Sequence, residues 1–182
     1  MLKREEALEL VKKHVKSKNL IKHCLAVEVV MMALARRLNE DEELWGLAGL
    51  LHDLDYDYTK DDPGSHGYKS IELLKEYDLP RPVLDAILAH CEKKEIATNM
   101  ERAIYAADPV TGFIVAAALI TPEKSLSVID TEFLMRRFKE KLFAKGASRE
   151  QMKSCEELGL SLEEFLSLSL DAMKTISKDL GL

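Results

Sequence analysis

Apolar residues recur at intervals of three and four along almost the whole of this chain, and no stretch alternates with the period of two that a half-buried strand requires. Leu20, Cys24, Val27, Met31, Leu34 and Leu38, for example, fall on one face of a helix. Only eight glycines and five prolines punctuate the 182 residues. The spacing therefore predicts an all-α fold. Helices are expected over residues 4–16, from Asn19 to Leu38, and from about Glu40 to Leu54, the last with Asn39 as its cap and Glu42 completing a capping box. Others should begin near Ser65, at Pro82 (ending near Cys91) and at Asn99. Proline lacks an amide donor and disfavours helical geometry in the residue before it, so Pro109 should pause or kink the chain at Asp108. Three more helices are expected after Thr121-Pro122, after Asp130 and after Ser161, where Glu164 suits another capping box.

The length fits one domain over residues 1–182. With 47% hydrophobic and 32% charged residues, the composition is that of an ordered globular chain. The N-terminal MLKREEALELVKKH mixes charges with its apolar residues and lacks the pattern of a signal peptide, so a cytoplasmic location is expected. The longest apolar stretch, Val110 to Ile120, is shorter than the roughly 20 residues of a membrane span and suits a buried helix, so no membrane partner is expected. Cys24, Cys91 and Cys155 are odd in number and show no Cys-x-x-Cys spacing, which suits buried, reduced thiols. A net charge of −6 argues against a nucleic-acid polymer as partner, because neutralising phosphates takes clustered Lys and Arg. A local basic pocket for a small anion is compatible with it.

The chemistry-bearing residues concentrate at predicted helix ends. Four of the five histidines, His23, His52, His66 and His90, fall in four different helices, three of them near a terminus. Helical folds build metal sites from side chains on facing helices. A single histidine in a helix such as AILAHC is more often an ordinary hydrogen-bonded residue, so the set matters more than any member. Asp53 stands out, because a carboxylate at a helix C-terminus meets the negative end of the dipole and finds no free N–H to cap. Asp55 and Asp57 are ordinary for a turn. Asp108 lies between AIYAA and PVTGFIVAAALI, where a buried charge must be paired or bound to metal. It also suits an N-cap for a helix restarting at Pro109. Four imidazoles and two carboxylates together would suit one or two divalent transition-metal ions such as Fe, Mn, Co, Ni or Zn. Asp53 is placed to bridge two of them and to position an activated water.

The order His23, His52-Asp53, His66, His90, Asp108, with the context AGLLHDLD, resembles the HD-domain superfamily of metal-dependent phosphohydrolases over about residues 19–120. The resemblance implies a helical metal-binding core there, with residues 121–182 as a C-terminal helical extension. It implies that His23, His52, Asp53 and Asp108 hold a first metal, and that His66 and His90 join bridging Asp53 at a second. The function it implies is metal-dependent hydrolysis of a phosphomonoester or phosphoanhydride, with a nucleotide as the expected small-molecule substrate. Relatives with a similar ligand set include diiron oxygenases, and a non-catalytic metal or nucleotide sensor is a third reading. Many members follow the His-Asp pair with a small residue and a phosphate-contacting lysine; here Asp55-Tyr56 follows Leu54. Lys22, Lys69, Lys93 and Lys94 lie beside the expected ligands in sequence, although each also suits a solvated helix surface. Residues 121–182 carry no recognisable catalytic motif and are expected to complete the core, cover the site or form a homodimer contact.

Overall fold

The computed structural model describes residues 2–182, and among them there is no β-strand. The helices are α1 (Arg4–His14), α2 (Lys18–Leu38), α3 (Glu42–Leu51), α4 (Tyr56–Thr59), α5 (Tyr68–Leu74), α6 (Arg81–His90), α7 (Asn99–Leu119), α8 (Thr131–Phe138), α9 (Arg149–Lys153), α10 (Leu162–Lys174) and α11 (Ser177–Leu180). Short 3-10 turns lie at Leu126–Val128 and Ser154–Leu158.

Helices α2, α3, α6 and α7 form the centre, with α2 lying along α3 and α7 packed on α2 and α6. Met31, Leu34, Leu50, Leu51, Ile87, Ile104 and Phe113 are fully enclosed between them. From the C-terminal region, α10 packs against α2 and α7. At the other end α1 is tied to α2 by Arg4, whose guanidinium donates twice to buried Glu28, once at 2.9 Å.

Several boundaries differ from expectation for local reasons. Ser17, not Asn19, caps α2 by accepting from the Leu20 amide. Asn39 does not start α3; it ends α2 in the left-handed region at φ 57°, which asparagine tolerates. Asp41 caps α3 instead, and Glu42 pairs with Arg36. Helix α3 stops at Leu51, so His52 and Asp53 lie just beyond it. Thr121-Pro122 leads only into the 3-10 turn. Asp130 and Ser161 cap α8 and α10 as expected, while the Glu164 carboxylate pairs with Arg37.

The largest difference is at Pro109. Helix α7 runs unbroken from Asn99 to Leu119, so Asp108 is an interior residue and not an N-cap. Proline's fixed φ fits a helix, and what it costs is a backbone hydrogen bond and crowding against the preceding turn, about 3 kcal/mol. Buried Ala103, Ile104, Ala106, Ala107, Val110, Phe113 and Ile114 hold the helix together on both sides. By length and mean hydropathy, 1.3 over its most apolar window, α7 could cross a membrane, but here it is the core helix.

Helix α3 approaches α2 through Gly49. A Cβ there would lie 2.8 Å from the Val27 carbonyl oxygen and 2.9 Å from the Glu28 backbone, atoms that cannot swing aside. Gly49→Ala is therefore expected to lower stability by about 2 kcal/mol through forced separation of the helices, measured by denaturant melts against the same substitution at Gly112, whose Cβ position is open.

Candidate metal centre

The end of α3, the His66 turn before α5, the end of α6, and the facing sides of α2 and α7 meet at one point. His23 comes from α2, His52 and Asp53 from the turn after α3, His90 from the last residue of α6 and Asp108 from the middle of α7. All six sequence-predicted residues converge. The His23 and His52 Nε2 atoms are 3.2 Å apart, and those of His66 and His90 are 3.1 Å apart. Asp53 stands between the pairs: Oδ2 lies 3.7 Å from His23 Nε2 and 3.5 Å from His52 Nε2, while Oδ1 lies 3.4 Å from His66 Nε2 and 3.5 Å from His90 Nε2. Asp108 Oδ1 lies 3.1 Å from His23 Nε2.

Each imidazole is held by its other nitrogen. His52 Nδ1 donates to the Gly49 carbonyl at 2.8 Å and His90 Nδ1 to the Ile87 carbonyl, both in the last turn of the helix that delivers the histidine. Last-turn carbonyls lack a helical partner, so a histidine at a helix C-terminus finds an acceptor three residues back. His66 Nδ1 faces Asp55 Oδ1 at 2.8 Å. His23 Nδ1 lies 3.0 Å from Thr111 Oγ1, whose proton goes to the Asp108 carbonyl, so the hydroxyl oxygen accepts from the ring. In each of the four rings, then, Nδ1 is engaged away from the centre and Nε2 is turned inward, where it offers a lone pair to a cation whenever the ring is neutral.

Lone pairs at these separations repel, as do the Asp53 and Asp108 carboxylates, and a cation among them resolves the conflict. Ligand atoms about 2.1 Å from a common ion lie roughly 3.0–3.4 Å apart, close to the spacings seen here. The cluster is thus compatible with divalent metal. Its arrangement splits naturally into His23, His52 and Asp108 on one side of Asp53 and His66 and His90 on the other.

The protonation equilibria follow from the same crowding. Burial drives His52 down to about 4. Burial would raise the carboxyl of Asp53, but the imidazoles of His52, His90 and His23 outweigh it and hold the group well below the usual carboxylate range. Burial would likewise lower His90, yet its hydrogen bond to Asp53 leaves it well above an ordinary histidine. His23 is raised against its burial by Asp108 and Asp53.

Sequence reasoning missed the supports. Asp55 is not an ordinary turn residue: it is fully buried, accepts from the Gly67 amide at 2.8 Å and the Ser70 amide at 2.9 Å, and orients His66. Its signal was an acid two residues beyond Asp53, within the same motif. Thr111 was likewise readable only as one helical turn after Asp108. Gly67, at φ +83°, comes so near the Cys91 sulfur that a Cβ would lie 2.6 Å from it. Cys24 and Cys155 are buried free thiols. Free Cys91 sits next to His66 and His90, its Sγ directed at the carbonyls of His66, Ile87 and Leu88. Of the lysines, Lys22 donates to the Leu180 carbonyl at 2.6 Å, Lys69 pairs with Glu72 and Lys94 with Glu101. Lys93 lines a separate groove that contains none of the six converging residues.

The fold and this site define an all-α protein built round a His-Asp cluster. Residues 20–132 match the HD domain, and the chain belongs to that family. The match extends past the expected boundary at 120 into α8. Ribonuclease Y of Aquifex aeolicus is 29% identical over 167 residues, covering 90% of this chain and 30% of the relative. Ribonuclease Y of Desulforudis audaxviator is 33% identical over 135 residues, 72% of this chain and 26% of the relative. That of Aliarcobacter butzleri is 36% identical over 93 residues, 51% of this chain and 18% of the relative. The chain thus spans less than a third of each of these three relatives. The HD domain of the L. monocytogenes phosphodiesterase PgpH shares the fold, with a TM-score of 0.54 at 18% identity over 90% of this chain and 98% of that one.

These relatives overturn one expectation. A net charge of −6 argues against a nucleic-acid polymer, but the relatives are ribonucleases. Overall charge averages over the whole surface, whereas a strand is met by a local one, and bound cations add charge that the sequence does not count.

Elemental analysis of protein purified without added metal tests the division at Asp53. Asp53→Ala is expected to lose nearly all metal, and His90→Ala to keep only the ion on the His23 side. Asp55→Asn should weaken metal affinity about tenfold, as loss of a ligand's supporting partner does.

Proposed function

We propose that this chain hydrolyses phosphodiester bonds in single-stranded RNA at one or two divalent transition-metal ions held by His23, His52, Asp53, His66, His90 and Asp108. The observation that carries the reading is the two-faced placement of Asp53 between two pairs of inward-turned Nε2 atoms. Bound divalent ions supply Lewis-acid polarisation of a phosphate and a water of lowered pKa. The chain's own residues do the rest. Asp53 keeps its negative charge and fixes the spacing of the two sides. Buried His52 and His90 form the floor, and the partly exposed side chains of His23, His66 and Asp108 leave an edge by which a phosphate enters.

A diester in a polymer is preferred to the nucleotide monoester or anhydride that the sequence resemblance implies, because the similar proteins are named Ribonuclease Y. The rim supports it as well. Tyr56 is 45% exposed and lies edge-on to His66, with ring centroids 6.0 Å apart. Exposed Tyr68 begins α5 just after His66, whereas Tyr58, on the same short helix as Tyr56, turns to His14 of α1, its hydroxyl 3.0 Å from that ring. Aromatic faces beside a phosphate site suit the bases of a single strand, stacking being tolerant of sequence.

The test is cleavage of a 5′-labelled single-stranded RNA by Mn²⁺-loaded protein without oxygen. Cleavage is expected, abolished by chelator and by Asp53→Asn. Cleavage only with Fe(II) and O₂ consumption would overturn the reading in favour of oxygenase chemistry. Tyr56→Ala should raise KM for RNA about tenfold, the loss of one stacked base, while leaving turnover of methyl p-nitrophenyl phosphate unchanged.

A further inference from the structure

The loop between α8 and α9, residues 139–148, forms the far wall of a cleft of about 380 Å³ whose near wall carries His23 and Asp108. Ala144, Lys145, Gly146 and Ala147 face that space, and Lys145 is the one lysine or arginine lining it among the described residues. Its ammonium has no hydrogen-bond or ion-pair partner among those residues.

The loop has an unusual internal support. Arg149 donates to the carbonyls of Phe143 at 2.6 Å, Ala147 at 2.9 Å, Ala144 at 3.2 Å, Phe138 at 3.3 Å and Glu140 at 3.4 Å. Its guanidinium lies 4.7 Å over buried Phe113 of α7 and 5.3 Å over Phe138. Phe143 packs on the same Phe113 ring, with centroids 5.6 Å apart. One side chain thus gathers the carbonyls of a whole turn, including that of Ala144, which is held at φ 44°, and pins the turn to the helix that carries Asp108. A planar fork with five donors can do this; a lysine cannot. Holding a non-glycine residue at positive φ has an energetic cost, so the loop shape is over-determined. What that shape places on the far wall of the cleft, across from His23 and Asp108, is exposed Lys145.

We propose that Lys145 binds a non-bridging oxygen of the substrate phosphate, and that Arg149 is the positioning residue that holds the loop so that it can. The proposal rests on the reading that His23 and Asp108 belong to a phosphate-processing centre. It gives the extension beyond residue 120 a part in the site. With metal loaded, the cleft would have cationic groups on both walls, which suits a tetrahedral anion between them.

Binding of inorganic phosphate to Mn²⁺-loaded protein, followed by calorimetry, tests this without turnover. Lys145→Ala is expected to weaken phosphate about tenfold and Lys145→Arg by less than threefold, with circular dichroism unchanged in both. Arg149→Ala should speed hydrogen exchange at residues 143–147 and weaken phosphate as much as Lys145→Ala, with no further loss in the double variant; should it fail to fold, the Lys145 pair decides alone. On RNA, Lys145→Ala should raise KM and flatten its dependence on salt by about one contact. Phosphate binding equal in wild type and Lys145→Ala, or undetectable in wild type, overturns the proposal. Lys145-dependent phosphate binding in a protein that cleaves no RNA leaves the anion site standing and overturns the ribonuclease reading.

Discussion

The contact of α3 with α2 at Gly49 is the constraint on which the rest of the site depends. With no side chain at Gly49, the two backbones close to a distance that any Cβ would prevent. That closeness brings His52, one residue past the end of α3, within 3.2 Å of His23 in the first half of α2. The same glycine supplies the carbonyl that receives the His52 Nδ1 proton. One residue therefore sets both the separation of the helices and the tautomer of the ring at their junction.

From that junction the site is built by a repeated device. Helix α6 ends on a histidine and α3 is followed at once by one, and in both the Nδ1 reaches back to a last-turn carbonyl, leaving Nε2 to point past the helix end. His66 and His23 are not so placed, and side chains orient them instead, Asp55 for the first and Thr111 for the second. Asp53 then sits among four imidazoles with each oxygen facing two of them. Burial alone would neutralise that carboxylate, but so many polar neighbours keep it ionised. The cluster is an electrostatic knot that the fold tolerates because its members compensate one another, and it suits cations better than an apolar filling.

The C-terminal region is joined to this centre from the other side. Phe113, on the core helix that bears Asp108, carries the aromatic surface on which Arg149 rests. The α8–α9 loop therefore takes its shape from the helix opposite the His-Asp pair. Position along the chain would suggest an appendage, whereas contact makes it a wall of the cleft beside His23 and Asp108.

Much of this was legible from the sequence. Helical class follows from the spacing of apolar residues, because 3.6-residue periodicity is a local property. The six converging residues were legible partly because charged carboxylates are costly in apolar helices, and mainly because their order along the chain resembles that of the HD-domain superfamily. Other features were decided by tertiary packing. Pro109 breaks α7 by local rules, but buried neighbours on both sides outweigh a single missing hydrogen bond. Asp55 resembles a turn residue because turn propensity is local, while its bonds to His66, Gly67 and Ser70 reach 11 to 15 residues ahead. Net charge misleads because it carries no positions. The sequence by itself determined helices and an inventory of ligand-type side chains, since both depend on neighbours a few residues apart. Which oxygen of Asp53 faces which imidazole, and which wall Lys145 lines, only the packed structure could decide, because those depend on distances between segments far apart in the chain.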